Sequence, residues 1–156
     1  MPNDGFRRTD IWREGTWLDL WSVVHLLSGV LIGLGFYFLH IDELASIVIA
    51  LTALICYEIW ERIVQIEEAL TNGFMDVVVG MAGFVAAFFI FGPALSSASF
   101  VPVFLCVFAI DIVMSVFGWR ASQKAEMLKK RMHARYMIER GRLLERRNRI
   151  RDRFRR

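Results

Sequence analysis

Residues 18–39 read LDLWSVVHLLSGVLIGLGFYFL, and this stretch decides the fold because it is apolar almost throughout. A helix rises about 1.5 Å per residue, so about 20 apolar residues cross the roughly 30 Å hydrocarbon core of a bilayer. The polar segment of residues 1–17 is too long for the charged start of a removable signal peptide. We therefore expect residues 18–39 to form a membrane-spanning helix of the mature chain.

Three more apolar runs of similar length follow, at residues 44–63, 74–94 and 100–119. Hydrophobic residues make up 56% of the 156-residue chain, and its thirteen Phe and five Trp are more than a soluble domain of this size needs for its core. The sequence therefore predicts an all-α polytopic membrane protein, in which residues 18–119 form one bundle of four transmembrane helices.

The segment of residues 120–156 is strongly basic. It carries fifteen of the nineteen Lys and Arg against four acids, a net charge of about +11. Its apolar residues recur at spacings of four and seven, which predicts a long amphipathic helix, broken or continuous. Twelve of the fifteen basic residues are Arg, which binds phosphate bidentately. The candidate partners of this segment are therefore anionic lipid headgroups, RNA and an acidic protein.

The distribution of positive charge also predicts the orientation of the chain. The four basic residues outside the C-terminal segment are Arg7, Arg8, Arg13 and Arg62. With four crossings, every Lys and Arg falls on the same side of the membrane, which the positive-inside rule identifies as the cytoplasm. We therefore expect a multi-pass protein of the inner (plasma) membrane with both termini, residues 1–17 and 120–156, in the cytoplasm.

Five ionisable residues lie inside the predicted spans, where a charge is costly unless it is paired. Measured from the middle of each run, all five fall about 3 to 10 Å from the bilayer centre, on its cytoplasmic side. Because all four helices contribute at this depth, we expect one shared pocket open to the cytoplasm. The five residues are His25, Glu58, Glu61, Asp76 and Asp111.

Acids and an imidazole in one apolar site must hold protons, bind a cation or neutralise one another. Their O and N atoms suit a divalent metal ion, which would serve a membrane enzyme that acts on a lipid-linked or phosphorylated substrate. In that interpretation His25 is a ligand or a general base. The catalytic and metal candidates are His25, Glu58, Glu61 and Asp76, and the substrate-binding candidates are Asp19, Arg62, Asn72 and Asp111.

Two other classes of function stay open for the same residues. The acids and His25 could titrate in turn along a proton or cation path, as in a transporter or channel subunit. They could also be internal ion pairs of a non-catalytic assembly subunit. Glycines at helical spacing would then let helices pack closely, within the chain or in a homo-oligomer, and they are Gly29, Gly33, Gly80 and Gly83.

Three short motifs surround the buried charges. They are Asp19-Leu20-Trp21-Ser22 with His25 and Gly29, Tyr57-Glu58-Ile59-Trp60-Glu61, and Asn72 with Asp76, Gly80 and Gly83. Together they resemble the motifs of small VanZ-like and YjdF-like membrane proteins of bacteria and archaea, over roughly residues 19–83. The resemblance implies no reaction, but it implies that six residues belong to one site: Asp19, His25, Glu58, Glu61, Asn72 and Asp76.

Overall fold

The computed structural model describes residues 11–12, 17–63 and 70–154, apart from the side chains of Arg62 and of residues 152–154. The described chain is helical and contains no strand. Its four long helices are each long and apolar enough to cross a membrane, which confirms the predicted fold class at that level. They are α1 (Leu20–Phe38), α2 (Glu43–Ile63), α3 (Leu70–Ala94) and α4 (Ser97–Phe154).

Helix α1 begins at Leu20 because Asp19 caps it. The Asp19 carboxylate accepts hydrogen bonds from the backbone N–H groups of Trp21 and Ser22, at 2.7 and 3.3 Å. The Ser22 hydroxyl in turn accepts the Asp19 N–H at 3.2 Å, which completes a capping box. The cap holds Ser22, and His25 one turn later, at the start of the helix.

The connection between α1 and α2 is short and well hydrogen-bonded. His40 adopts a left-handed conformation with φ 53°, and the Ile41 N–H donates to the Phe36 carbonyl at 3.1 Å. The Asp42 carboxylate then accepts the Ala45 N–H at 3.1 Å and so caps α2. These two caps end one helix and start the next within a few residues.

Helices α1 and α3 touch backbone to backbone through glycines. A Cβ atom on Gly29 would overlap the Gly80 carbonyl oxygen, and a Cβ on Gly83 would overlap the Leu26 carbonyl oxygen. Only glycine permits this approach. The glycines predicted to let helices pack closely therefore make that contact within one chain, and it places the first turns of α1 and α3 side by side.

Most of the buried side chains in the half of the helices away from Asp19 are apolar, and Ser46 is a buried polar residue there. Phe38 of α1 stacks on Phe100 of α4, with ring centroids 4.2 Å apart and planes 10° apart. Residues Ala86–Phe91 of α3 form a π-helical segment within this region. The two buried clusters consist of Leu34, Ala87 and Phe100, and of Ala50, Phe84 and Phe88.

Two helix boundaries differ from the sequence prediction. Helix α3 starts at Leu70, four residues before the predicted start, and α4 runs from Ser97 to Phe154 without stopping at residue 119. The apolar pattern located only the parts of these helices that suit a bilayer. After residue 119 the added residues are rich in Arg, Lys, Leu, Met and Glu, which are good helix formers, so α4 continues into them. The added first turn of α3 contains Thr71, Asn72 and Gly73, which are poor helix formers, and Asn72 connects it to α1 through Asp19.

Candidate metal centre

Three of the predicted site residues come together between α1 and α2. His25, Glu58 and Glu61 are all buried, with 3%, 5% and 8% of their surfaces exposed. One ligand atom from each lies within 4.8 Å of the other two. Over residues 11–12, 17–63 and 70–154, this is the one group of three or more His, Cys, Asp or Glu side chains close enough to hold a metal ion.

The backbone of α1 sets the protonation of the His25 ring. Nδ1 lies 3.0 Å from the carbonyl oxygen of Trp21, one turn earlier in the same helix. Because a carbonyl can only accept, we assign the proton of the neutral imidazole to Nδ1, which leaves a lone pair on Nε2. That lone pair is directed toward α2, where Glu58 Oε1 lies 3.1 Å from Nε2.

The carboxylate of Glu58 is buried without a donor. Both of its oxygens, and Nε2 of His25, lack a hydrogen bond of proper geometry to any described residue, although Nε2 and Oε1 are close. With His25 neutral, two acceptors face each other, and leaving a buried acceptor unsatisfied costs about 1 to 3 kcal/mol. A cation between them would remove that cost. With His25 protonated, the same two atoms form a buried ion pair.

The spacing of these two atoms suits shared coordination. Ligands at about 2.0 to 2.1 Å from a dication lie about 2.8 to 3.0 Å apart when they are neighbours in octahedral geometry, and about 3.3 to 3.4 Å apart in tetrahedral geometry. The separation of 3.1 Å between His25 Nε2 and Glu58 Oε1 lies between these two ranges, so a small shift of either side chain would reach one of them. The Trp21 carbonyl on Nδ1 is also the type of outer partner that orients a metal-bound histidine.

Glu61 lies one turn after Tyr57 on α2. The Tyr57 ring packs edge-on against the His25 ring, with centroids 5.4 Å apart and planes at 64°. Tyr57 thus contacts one member of the three-residue group and lies one turn from another. Its spacing of four from Glu61 was visible in the sequence, but nothing there showed that it also meets His25.

Asp76 lies on the opposite side of the His25 ring from Glu58. Its Oδ2 is 4.0 Å from Nδ1, and its oxygens accept hydrogen bonds from the Ser22 hydroxyl at 2.5 Å and the Asn72 amide at 3.2 Å. The sequence predicted Asp76 as a fourth metal ligand. In the structure it accepts hydrogen bonds from Ser22 and Asn72 and lies outside the group of His25, Glu58 and Glu61. Ser22, which sequence reasoning did not count in the site, is one of these donors.

Three of the four predicted substrate-binding residues have described side chains, and these make hydrogen bonds near the group. Asn72 donates to Asp19 Oδ2 at 3.1 Å as well as to Asp76, so it joins the cap of α1 to α3. Asp111 of α4 accepts from the Ser28 hydroxyl at 3.3 Å, about one turn along α1 from His25. The side chain of Arg62 lies outside the described residues.

Comparison of the chain with protein-family models, curated proteins and solved structures found no match. The resemblance of residues 19–83 to VanZ-like and YjdF-like proteins stays a prediction. A function for this site is therefore inferred from its own residues and their geometry.

Proposed function

We propose that this chain is a multi-pass inner-membrane protein that binds a divalent metal ion through His25, Glu58 and Glu61. The observation that carries the proposal is the close approach of His25 Nε2 to the buried Glu58 carboxylate, 3.1 Å apart, with neither atom in a hydrogen bond of proper geometry to a described residue. The positive-inside rule supports a cytoplasmic location for both termini and for the pocket.

A metal at this position would support an enzyme that acts on a lipid-linked or phosphorylated substrate. Three protein ligands leave at least one coordination position open, which is typical of catalytic rather than structural metal sites. An ion held in this way can polarise a phosphoryl oxygen or lower the pKa of a bound water. Around it, the Trp21 carbonyl is placed to orient His25, Asp76 lies beside the ring, and the proposed substrate contacts are Asp19, Arg62, Asn72 and Asp111.

A proton or cation path is the competing function, and the apolar half of the helices disfavours it. A path across the membrane needs acceptors along its whole length. The described buried side chains in the half away from Asp19 form two apolar clusters, which include Leu34 and Phe84, and the buried polar residue there is Ser46, whose hydroxyl donates to the Ile41 carbonyl. Proton flux into liposomes that is abolished by Asp111→Asn would support transport and contradict the enzyme.

The metal itself is tested by its stoichiometry. The purified protein, stripped with a chelator and reloaded, is expected to retain one Zn²⁺ or Mn²⁺ per chain by elemental analysis. His25→Gln removes the nitrogen ligand and should weaken binding at least about 10-fold. Asp111→Asn is the matched control, since Asp111 bonds Ser28 and lies outside the group, and it should keep the ion.

A wild-type chain that retains no metal after reloading would contradict the proposed function. The enzymatic part has its own readout, because metal-loaded protein in mixed micelles should release inorganic phosphate from a phosphorylated lipid and the stripped protein should not. Equal phosphate release by the metal-loaded and the stripped protein would mean that the activity does not depend on the metal.

We also propose that the basic part of α4 binds anionic lipid headgroups. An exposed apolar stripe follows residues 128–150, and a row of basic residues at spacings of seven and four runs beside it. This pattern suits a helix that contacts a charged bilayer surface, because long basic side chains reach the headgroups while the apolar stripe is covered. The stripe is Leu128, Met132, Tyr136, Leu143 and Ile150, and the row is Lys124, Arg131, Arg135, Arg142 and Arg149.

Two of the four acids in the same segment are paired within the helix. Lys130 Nζ lies 2.6 Å from Glu126 Oε1, and this ammonium group holds the pKa of the Glu126 carboxyl below its usual range. Arg149 similarly lies 3.8 Å from Glu145. These intrahelical pairs leave the segment strongly cationic, since it has fifteen basic residues against four acids.

Trypsin cleavage tests this contact, since trypsin cuts after Lys and Arg. In nanodiscs of anionic phosphatidylglycerol, the full chain is expected to be cut after residue 120 at least about 10-fold more slowly than in phosphatidylcholine, and high salt should remove the difference. Equal rates in the two lipids would contradict lipid binding. Protection by an added RNA oligonucleotide in phosphatidylcholine would instead identify a nucleic-acid partner.

A further inference from the structure

The geometry points to a binding site for one alkyl chain of a membrane lipid, in an apolar cleft between α1, the end of α3 and α4. The cleft lies in the half of the helices away from Asp19, and none of the three candidate metal ligands lines it. The inference rests on the proposed membrane placement of the chain and is independent of the metal ion. It also differs from the headgroup contact proposed for the basic part of α4.

The cleft has a volume of about 270 Å³, and every residue that lines it is apolar. Val30 and Leu34, one turn apart on α1, form one wall. Val103 and Val107, one turn apart on α4, form another. The end of α3 contributes Ala94 and Leu95. The ligand of this cleft must therefore be recognised by shape and apolar contact alone.

Aromatic rings beside the cleft explain why it stays open. The Phe100 ring of α4 stacks on that of Phe38 of α1, with centroids 4.2 Å apart. The Phe104 ring faces Gly35, since a Cβ atom there would lie 3.9 Å from it. Because these rings lie between the backbones of α1 and α4, they keep the two helices apart. Val103 stands between the two rings in sequence, and its short side chain leaves the neighbouring space unfilled.

Neither water nor a helix of another chain suits this cleft. A water molecule needs two to four polar partners, and the lining side chains offer none. A helix is about 10 Å wide with its side chains, so a single turn of about 5.4 Å takes up about 400 Å³. That is more than the roughly 270 Å³ of the cleft. A second copy of the chain therefore cannot place a helix in it.

A lipid chain fits in size, chemistry and position. An apolar cavity of about 150 Å³ holds benzene, with six carbon atoms, so about 270 Å³ holds roughly ten or eleven. One end of the cleft is at Leu95, where the backbone leaves the helix, and the exposed Ser96 follows directly. The other end is at Val107, near the middle of the apolar run of residues 100–119. A lipid with its headgroup at the serine turn would follow this path within one leaflet, and its chain would supply the van der Waals contacts that the walls lack.

Filling the cleft with a side chain tests the site. In nanodiscs of phosphatidylcholine, which has no net charge for the basic segment to bind, the chelator-treated wild-type chain is expected to retain one phosphatidylcholine molecule by native mass spectrometry. Val103→Trp should lose that molecule, because the indole ring takes its space. Val113→Trp is the matched control, since Val113 is on α4, is 52% exposed and does not line the cleft. It should retain the lipid.

Three results would overturn the site. They are a wild-type chain without retained lipid, Val103→Trp that retains as much lipid as the wild type, and an equal loss from both tryptophan variants. Should Val103→Trp fail to fold, the wild-type chain decides through phosphatidylcholine with a diazirine in the middle of one chain. Its crosslinks should concentrate on residues 30–34 and 103–107, and an even spread that includes Val113 would contradict the cleft.

The lipid and the metal have separate readouts. A chain that binds no metal but retains the lipid would leave this inference in place after the metal centre fails. A chain that binds metal but retains no lipid would do the reverse. A chain that stays soluble without detergent would remove the membrane placement, and the lipid site with it.

Discussion

Glu58→Gln is expected to abolish metal binding and, at the same time, to stabilise the metal-free protein. The buried Glu58 carboxylate faces the His25 Nε2 lone pair, and neither has a donor among the described residues. Glutamine keeps the shape of the side chain, removes the charge and brings an amide that can donate to Nε2. We expect the free energy of unfolding of the metal-free protein to rise by about 1 to 3 kcal/mol.

Chemical denaturation of the chelator-treated protein in detergent measures this change, and elemental analysis after reloading measures the metal. Asp76→Asn is a suitable control, because the Asp76 carboxylate accepts hydrogen bonds from Ser22 and Asn72. Losing an acceptor there should destabilise the metal-free protein by about 1 kcal/mol. If Glu58→Gln destabilised it as much as Asp76→Asn does, Glu58 would be a structural ion-pair partner of His25 and the metal proposal would fail.

The second large effect is expected at the contact between α1 and α3. In Gly29→Val, the new side chain would overlap the Gly80 carbonyl oxygen, which is backbone and cannot rotate away. The two helices would have to separate, and the cost should exceed about 4 kcal/mol, at the upper end of single substitutions. Because His25 lies one turn from Gly29, metal binding should be lost together with stability.

Gly141→Ala is the control for a glycine in a helix, since a Cβ at Gly141 would meet no atom within 4 Å. It should raise helix stability by about 0.5 to 1 kcal/mol. The measurements are the yield of monodisperse protein from detergent and its unfolding temperature. A Gly29→Val protein with the yield and unfolding temperature of the wild type would mean that α1 and α3 are not in backbone contact at this point.

Local patterns in the sequence were sufficient to predict the four apolar helices. Long apolar runs predict membrane spans because the length and hydropathy of a run can be read directly from the sequence. Four helices with those properties are present. The same patterns placed His25, Glu58 and Glu61 inside apolar helices. The helix boundaries were less accurate where a helix extends beyond its apolar part, as in residues 70–73 and 120–154.

The partners of the buried charges were decided by tertiary structure. Sequence spacing groups residues of one helix on a face, but it does not say how far each helix is rotated toward its neighbours. The glycine contact of α1 with α3 sets that rotation, and it directs Asp76 to Ser22 and Asn72. For the same reason Glu58 rather than Asp76 faces the free nitrogen of His25.

The residues alone thus determined that this chain has four apolar helices with ionisable groups buried in them. Which of those groups meet was determined only in three dimensions, because the distance between side chains on different helices depends on backbone contacts far apart in the chain. The approach of Gly29 to Gly80 is such a contact, with fifty residues of chain between the two glycines.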